Sequence, residues 1–150
     1  MLNNEQFSKT VSSDLATREK YSKDSVYKGN PEYSFVANDW KTTGEIISFC
    51  NTKAIPVTFC GGQTSMTGSS VSDSGLALSL GLKNKIIDIG LNTQGEPFAK
   101  VEAGVNLGEL KKEVEKLRFF YPPDPTSYQE VQVGATVATN ATGADTFKYG

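Results

Sequence analysis

A loop rich in glycine and hydroxyl side chains, residues 61–70, is the part of this chain best suited to anion binding, and it is called the glycine loop below. It holds three glycines, five serines or threonines and no charged residue. Glycine lets a backbone approach a ligand closely, successive backbone N–H groups can form a concave anion nest, and hydroxyls add neutral donors. Such a loop can hold a pyrophosphate without lysine, although this composition is also typical of a polar surface loop.

Two common phosphate-binding motifs do not fit the glycine loop. A Walker loop needs a lysine after its last glycine, but Ser69 follows Gly68. A dinucleotide fingerprint needs G-x-G-x-x-G at the start of a helix, whereas Gly61 and Gly62 are adjacent and residues 67–73 are poor helix formers. The surroundings of the loop must therefore decide between a binding site and a plain surface loop.

Composition excludes several classes of function. The 150 residues suit one domain or part of a larger one, and 37% of them are hydrophobic. No run approaches the roughly 18 apolar residues of a transmembrane segment, and the N-terminus does not resemble a secretory signal. We therefore expect a cytoplasmic protein, or one peripheral to the inner membrane. A net charge of −2 without a basic stripe argues against a nucleic-acid partner.

The chain has no histidine, so Ser-His-Asp and Cys-His catalysis cannot occur within it. We predict no catalytic residue and no metal ligand in these 150 residues. Cys50 and Cys60 do not form a disulfide scaffold, and their apolar neighbours predict two small core residues. Lys100 and Glu102 could act as base and acid, but we interpret them as the solvated face of a strand.

The first third of the chain predicts a helix, a strand and a second helix. Phe7, Val11 and Leu15 recur at helical spacing and predict one amphipathic helix over residues 5–20. Residues 33–37 alternate in polarity and predict a strand.

Residues 42–45 read TTGE, which predicts a capping box with Thr42 as the N-cap of a helix that ends near Asn51. Residues 55–59 predict the next strand, and the glycine loop follows its carboxyl end. Open α/β sheets bind ligands at that edge, so the topology favours the loop as a site.

The second half predicts short strands over residues 76–80, 85–89 and 98–103, with a hairpin-like turn at 93–96. A helix capped by Asn106 follows, with Glu109 completing a capping box. Its predicted buried stripe consists of Leu107, Leu110, Val114 and Leu117, and Lys111 is spaced to pair with Glu115.

Two further segments could contact a ligand. Residues 121–127 read YPPDPTS, and their prolines fix an extended path. They could be a stiff connector, or a rigid wall for a planar ligand with Asp124 and Ser127 as polar contacts. Residues 131–143 are small and uncharged, so their backbone could pack against a flat ring. The chain stops after Lys148 and Tyr149 without a capped helix, which we interpret as an interruption.

Three segments together resemble the FAD-linked oxidoreductases of the vanillyl-alcohol oxidase superfamily. Residues 55–68 (IPVTFCGGQTSMTG) resemble the pyrophosphate loop, residues 121–127 the proline-rich FAD segment, and residues 133–143 (VGATVATNATG) the second glycine-rich segment. Residues 102–105 match the strand between them, and residues 21–24 (YSKD) the usual N-terminal entry. The resemblance implies an α+β fold, namely a PCMH-type FAD-binding domain of two small α/β subdomains, incomplete at the C-terminus.

The resemblance also implies which residues bind noncovalent FAD. Around the pyrophosphate these would be Gly61, Gly62, Gln63, Thr64, Ser65, Gly68 and Ser69. Along the rest of the cofactor they would be Pro123, Asp124, Ser127, Val133, Gly134, Ala138, Thr139 and Gly143. Cys60, Gln63, Ala135 and Thr142 depart from the residues that are usual in the family.

The branch of the superfamily that this chain most resembles contains flavin-dependent dehydrogenases of D-2-hydroxy acids such as D-lactate, glycolate or D-2-hydroxyglutarate. The resemblance implies hydride transfer from the hydroxy acid to FAD, with the substrate held by a C-terminal domain beyond this chain. The alternatives are a non-redox FAD enzyme of the ether-lipid synthase type and an inactive binding fragment. We expect a helical lead-in at 1–32, a first subdomain at 33–90 and part of a second at 91–150.

Overall fold

A computed structural model describes residues 2–149. The chain forms two compact units, residues 1–82 and 83–150, and each contains helices and strands, as predicted for an α+β fold. The subdomain borders predicted at residues 32/33 and 90/91 stay a prediction.

The elements of the first unit are α1 (Asn4–Thr10), α2 (Leu15–Glu19), β1 (Tyr33–Val36), α3 (Trp40–Thr52), β2 (Val57–Cys60) and β3 (Leu76–Ser79). Those of the second unit are β4 (Ile86–Leu91), β5 (Pro97–Val101), α4 (Leu107–Lys116), α5 (Val133–Ala138) and α6 (Thr146–Tyr149).

The first unit is built on a parallel sheet with the strand order β1-β3-β2. Tyr33 of β1 and Val57 of β2 both lie opposite Leu76 of β3. All four residues of β3 are buried, as expected for the central strand of a parallel sheet that is covered on both faces. The sequence predicts mostly parallel strands around the helix of residues 43–51, and the pairing of β1 and β2 with β3 confirms this.

The core of the first unit packs α3 against this sheet. Ile46 and Phe49 of α3 join Phe35 and Leu78 in one buried cluster, and the ring of Phe7 stacks on that of Phe49 with centroids 4.4 Å apart. Burying each such side chain contributes about 1.5–3 kcal/mol. This packing fixes the strand ends from which the glycine loop leaves.

The single helix predicted over residues 5–20 is wrong. The chain forms α1 and α2 instead, with Val11 extended at the end of α1 and Leu15 58% exposed. Ser12 exchanges two backbone hydrogen bonds of 2.8 Å with Ser34 of β1. That pairing needs an extended backbone, so it overrides the helical spacing of the apolar residues.

The predicted N-cap of α3 is also wrong. Asp39 caps the helix, its Oδ1 accepting the amide of Thr42 at 2.7 Å, and the helix already begins at Trp40. Aspartate is among the preferred N-cap residues, and it precedes the predicted cap by three positions. The end of the helix near Asn51 is predicted within one residue, since α3 runs to Thr52.

The sequence predicts a mixed sheet against the helix of residues 107–117, but the second unit contains a hairpin in its place. Strands β4 and β5 pair antiparallel, with Ile89 opposite Ala99, and they are the one pair of strands among the described residues of this unit. Asn92 closes the turn, since its Oδ1 accepts the amides of Gln94 and Glu96 at 3.0 and 2.9 Å. So short a connection favours an antiparallel neighbour.

Helix α4 covers the second core. Asn106 caps it as predicted and accepts the amide of Glu109 at 3.1 Å. Leu107, Leu110 and Val114 are buried, but Leu117 is 51% exposed because the helix ends at Lys116. The helix therefore has a shorter buried stripe than predicted.

Candidate cofactor-binding site

The glycine loop is part of the connection between two parallel strands. It leaves the carboxyl end of β2, and the chain returns to begin β3 at Leu76. Such crossovers usually contain an α-helix, whose amides would be used within the helix. Residues 61–75 form none, so no helical hydrogen bonds occupy the amides of this crossover.

A run of backbone amides in the glycine loop has no protein acceptor. Among residues 2–149, no hydrogen bond is made by the amides of residues 62–66. Gln63 has φ +54°, a left-handed conformation of the kind that turns successive N–H groups toward one anion. Gly62 is exposed, while Gln63, Thr64 and Ser65 are half-buried. Free amides on an uncharged, accessible loop fit the phosphates of a dinucleotide.

The hydroxyls of the loop form a small cluster beside these amides. Ser65 Oγ lies 3.0 Å from both Thr67 Oγ1 and Ser69 Oγ, and the amide of Thr67 donates to Ser65 Oγ at 3.1 Å. Ser65 and Ser69 are predicted site residues that the structure brings together. Thr67 was missed, although the density of hydroxyls in this stretch could have indicated it.

Residues 21–28 support the glycine loop. Of these, the sequence analysis singled out only residues 21–24, through their resemblance to the family. Asp24 Oδ2 accepts the amide of Gly68 at 3.0 Å. The Gln63 side chain donates to the carbonyl of Lys23 at 2.5 Å. The amide of Ser25 donates to the carbonyl of Ser65 at 3.1 Å. Two predicted site residues, Gln63 and Gly68, therefore owe their positions to a distant part of the chain.

Cys60 lies at the base of the loop and is 2% exposed. Its Sγ points to the carbonyl oxygens of Ser70 at 3.4 Å and Tyr21 at 3.9 Å. Burial raises the pKa of the thiol to about 11, so the sulfur remains protonated and unreactive near neutral pH. Cys50 is also buried and free, which confirms both cysteines as core residues.

In the second unit, Asp124 is held from two sides. Its carboxylate forms an ion pair with Lys111 of α4, whose ammonium also lies 5.5 Å from the centre of the Tyr128 ring. The predicted pairing of Lys111 with Glu115 is therefore wrong, because a more enclosed carboxylate is within reach. Gly143 packs on the backbone of Asp124, and a Cβ at Gly143 would overlap its carbonyl. The structure thus brings together two predicted site residues that are 19 positions apart.

A short helix carries the next group of predicted site residues. The sequence analysis assigns no element to residues 133–138, yet α5 forms there with Gly134 against Ala103. The amide of Gly134 donates to the carbonyl of Ala103 at 2.8 Å. Val133 is buried in the core, whereas Ala138 and Thr139 are exposed at the end of the helix.

The remaining predicted residues, Pro123 and Ser127, are half-buried in the proline-rich segment. The carbonyl of Ser127 accepts the amides of Glu130 and Val131 at 3.0 and 2.9 Å. The short helix α6 (Thr146–Tyr149), which the sequence analysis did not predict, follows, and Gly150 lies outside the described residues. That the glycine loop and these second-unit residues share one ligand stays a prediction.

The interpretation of Glu102 as part of a solvated strand face is wrong, because this residue follows the end of β5 and is engaged in structural contacts. Its side chain is 12% exposed and lies 3.2 Å from the ammonium of Lys83. The amide of Lys85 donates to it at 2.9 Å. That hydrogen bond, followed by the one from Lys83, lowers the pKa of Glu102. A carboxylate held in this way is a poor proton acceptor.

The part of the chain that the structure describes holds no group of residues suited to a metal ion. Within that same part, every helix is too short or too polar to cross a bilayer.

The family described as FAD binding domain matches residues 31–150 of this chain. The D-lactate dehydrogenase of Anaerostipes hadrus is 38% identical over 125 residues, which cover 82% of this chain and 25% of that protein. The glycolate oxidase subunit GlcD of Bacillus subtilis (strain 168) is 28% identical over 138 residues, which cover 90% of this chain and 29% of that protein. The chain thus spans about a quarter of the length of these curated relatives.

A solved structure of alkyldihydroxyacetonephosphate synthase has the same fold. It superposes with a TM-score of 0.77 at 18% sequence identity and covers 95% of this chain and 29% of its own. At that identity the likeness establishes the fold alone.

Proposed function

Since this chain belongs to the FAD binding domain family, we propose that it forms the cofactor-binding part of a flavin-dependent dehydrogenase. That enzyme oxidises a D-2-hydroxy acid, such as D-lactate or glycolate, by hydride transfer to FAD. The observation that carries the proposal is the run of unbonded amides at residues 62–66, where the strands of a parallel sheet end. The substrate class is supported by relatives named D-lactate dehydrogenase and glycolate oxidase subunit.

The chain's own contribution is binding and orientation, because bound FAD supplies the hydride acceptor. The amides and hydroxyls of the glycine loop hold the pyrophosphate. The predicted residues of the second unit, from Pro123 to Gly143, line the rest of the cofactor with small side chains and backbone. Removal of the substrate's hydroxyl proton is assigned to a base outside these 150 residues, since the chain has no histidine and Glu102 is occupied by Lys83 and the amide of Lys85.

The cofactor is held without a covalent bond to this chain. Histidyl attachment is impossible here, because the sequence has no histidine. The thiol of Cys60 is buried and its pKa is raised to about 11. Acid precipitation of the full-length holoprotein is expected to release the yellow cofactor into the supernatant. Colour that stays in the pellet, and is freed by Cys60→Ala, would show that this assignment is wrong.

Absorbance spectroscopy of the purified full-length protein tests the proposal. We expect a flavin band in the visible that is bleached anaerobically by D-lactate or glycolate and not by L-lactate, which serves as the matched control. A protein that binds no flavin would overturn the proposed cofactor. A flavin that none of the D-2-hydroxy acids reduces would overturn the substrate class and favour a non-redox enzyme on the same fold.

A further inference from the structure

We propose that Asp24 is a positioning residue for the cofactor, because its carboxylate ties residues 21–28 to the glycine loop and holds the free amides in place. This inference rests on the proposed function. Asp24 would act through the loop rather than on FAD itself, since both of its oxygens already accept backbone amides.

The two oxygens of Asp24 have different partners. Oδ1 accepts the amides of Val26 at 2.9 Å and Tyr27 at 2.7 Å, which closes a local turn. Oδ2 accepts the amide of Gly68, 44 positions further along the chain, at 3.0 Å. One side chain therefore fixes the shape of the supporting segment and joins it to the glycine loop.

The turn closed by Asp24 also presents its neighbours to the loop. The amide of Ser25 donates to the carbonyl of Ser65 at 3.1 Å. The ring of Tyr27 lies against Gly68, where an added Cβ would come within 3.3 Å of it. Gly68 has φ +77°, a conformation that glycine adopts without strain. Both contacts depend on the turn that Oδ1 maintains.

The ties to residues 21–28 lie within and just after the run of unbonded amides. Gln63 and Ser65 are held by Lys23 and Ser25, and Gly68 is held by Asp24. The glycine loop has no helix and makes few hydrogen bonds of its own, so its conformation depends on these external partners. Loss of Asp24 would remove the hydrogen bond to Gly68 and the two hydrogen bonds that close the turn. The free amides of residues 62–66 would then no longer be held in one orientation.

The test compares Asp24→Asn with Asp14→Asn in the full-length protein. Asparagine keeps the size of the side chain but turns an NH₂ group toward at least one of the three amides, which are themselves donors. Asp14 is a matched control in the same unit. It also accepts a backbone amide, that of Thr17 at 2.9 Å, but it caps α2.

For Asp24→Asn we expect the Kd for FAD, measured by flavin titration of the apoprotein, to rise tenfold or more. We also expect the ³¹P resonances of the bound pyrophosphate to shift. Asp14→Asn is expected to leave the Kd and the ³¹P spectrum unchanged. A general loss of stability would not move the ³¹P signals of the protein that remains bound.

The possible outcomes distinguish a failure of the proposed function from a failure of the role proposed for Asp24. If the wild-type apoprotein binds no FAD, the proposed function fails and this inference fails with it. If wild type binds FAD and Asp24→Asn has the same Kd and ³¹P spectrum, the role of Asp24 alone is wrong. Should Asp24→Asn fail to fold, Asp24→Ser replaces it, because serine can still close the local turn but is too short to reach Gly68. An unchanged Kd in Asp24→Ser would likewise overturn the proposal.

Discussion

The contact between α5 and residue 103 can be tested with Gly134→Ala. The backbone at Gly134 lies so close to Ala103 that an added Cβ would be 2.7 Å from the Ala103 Cβ and 2.9 Å from its carbonyl oxygen. Ordinary contact begins at 3.4 Å, so α5 would have to move by 3.4 − 2.7 = 0.7 Å from Ala103. Neither neighbouring atom is the end of a flexible side chain, so the strain falls on the backbone.

Two effects of opposite sign combine in this substitution. Alanine is favoured over glycine inside a helix by about 0.8–1 kcal/mol, whereas overpacking of a close contact costs about 1–3 kcal/mol. Gly44→Ala separates them, because Gly44 also lies inside a helix, α3, but has no atom within 4 Å of an added Cβ. The free energy of unfolding is expected to rise in Gly44→Ala. The free energy of unfolding of Gly134→Ala, relative to wild type, should be lower than that of Gly44→Ala by the overpacking cost, about 1–3 kcal/mol.

The assay is thermal unfolding of the full-length protein with and without FAD. For a unit of this size each kcal/mol shifts Tm by about 4–8 °C. We expect Gly134→Ala to have the lower Tm of the two variants and to gain less stability from added FAD, because α5 carries predicted cofactor contacts. If both variants are equally stable and gain equally from FAD, the close contact of Gly134 with Ala103 neither limits stability nor supports cofactor binding.

The remaining predictions concern charged groups. The amide of Lys85 lowers the folded-state pKa of Glu102, so the ionised carboxylate stabilises the folded protein at pH values above 4.5, and this contribution is lost as the pH falls below that value. Denaturant titrations at several pH values should therefore show that the free energy of unfolding falls more steeply with acid in wild type than in Glu102→Gln. Equal pH dependence in the two proteins would contradict this. Lys111→Met should lower the free energy of unfolding by about 1 kcal/mol through the lost ion pair with Asp124, while Lys112→Met on the exposed face should not. The Kd for FAD should change little with salt, because the glycine loop carries no charge; a steep dependence in a salt series would show that ion pairs hold the cofactor.

Local signals predicted much of the fold correctly. The Asn106 cap and the stripe from Leu107 to Val114 depend on residues close in sequence, and α4 forms where they indicate. The strands around Phe35 and Leu78 were also found, the first because its residues alternate in polarity.

The errors have tertiary causes. The helix predicted over residues 5–20 breaks because Ser12 pairs with Ser34, which lies 22 positions away. Lys111 turns to Asp124 because a distant carboxylate offers a better-enclosed partner than one at the i+4 position. No spacing rule anticipates either contact.

In the candidate site, too, local features could be predicted from the sequence and long-range contacts could not. The glycine loop could be found from its composition and its place after a strand. Its support by Asp24 could not, since a carboxylate that accepts an amide 44 positions away leaves no periodic trace in the sequence. The packing of Gly143 on Asp124 is also invisible from sequence, because glycine is common in loops for many reasons.

The strand order β1-β3-β2 has a consequence for synthesis on the ribosome. Among the described residues, β1 and β2 are each hydrogen-bonded to β3 and not to one another, although β3 is the last of the three to be translated. A nascent chain that has not reached Leu76 therefore contains the complete glycine loop but no paired strand. The end of β2, from which the loop leaves, gains its place in the sheet only once β3 inserts between two strands already made, and that closure spans 43 positions from Tyr33 to Leu76. We expect translation arrest before residue 76 to leave two unpaired edges, which are the surfaces that chaperones must shield from aggregation.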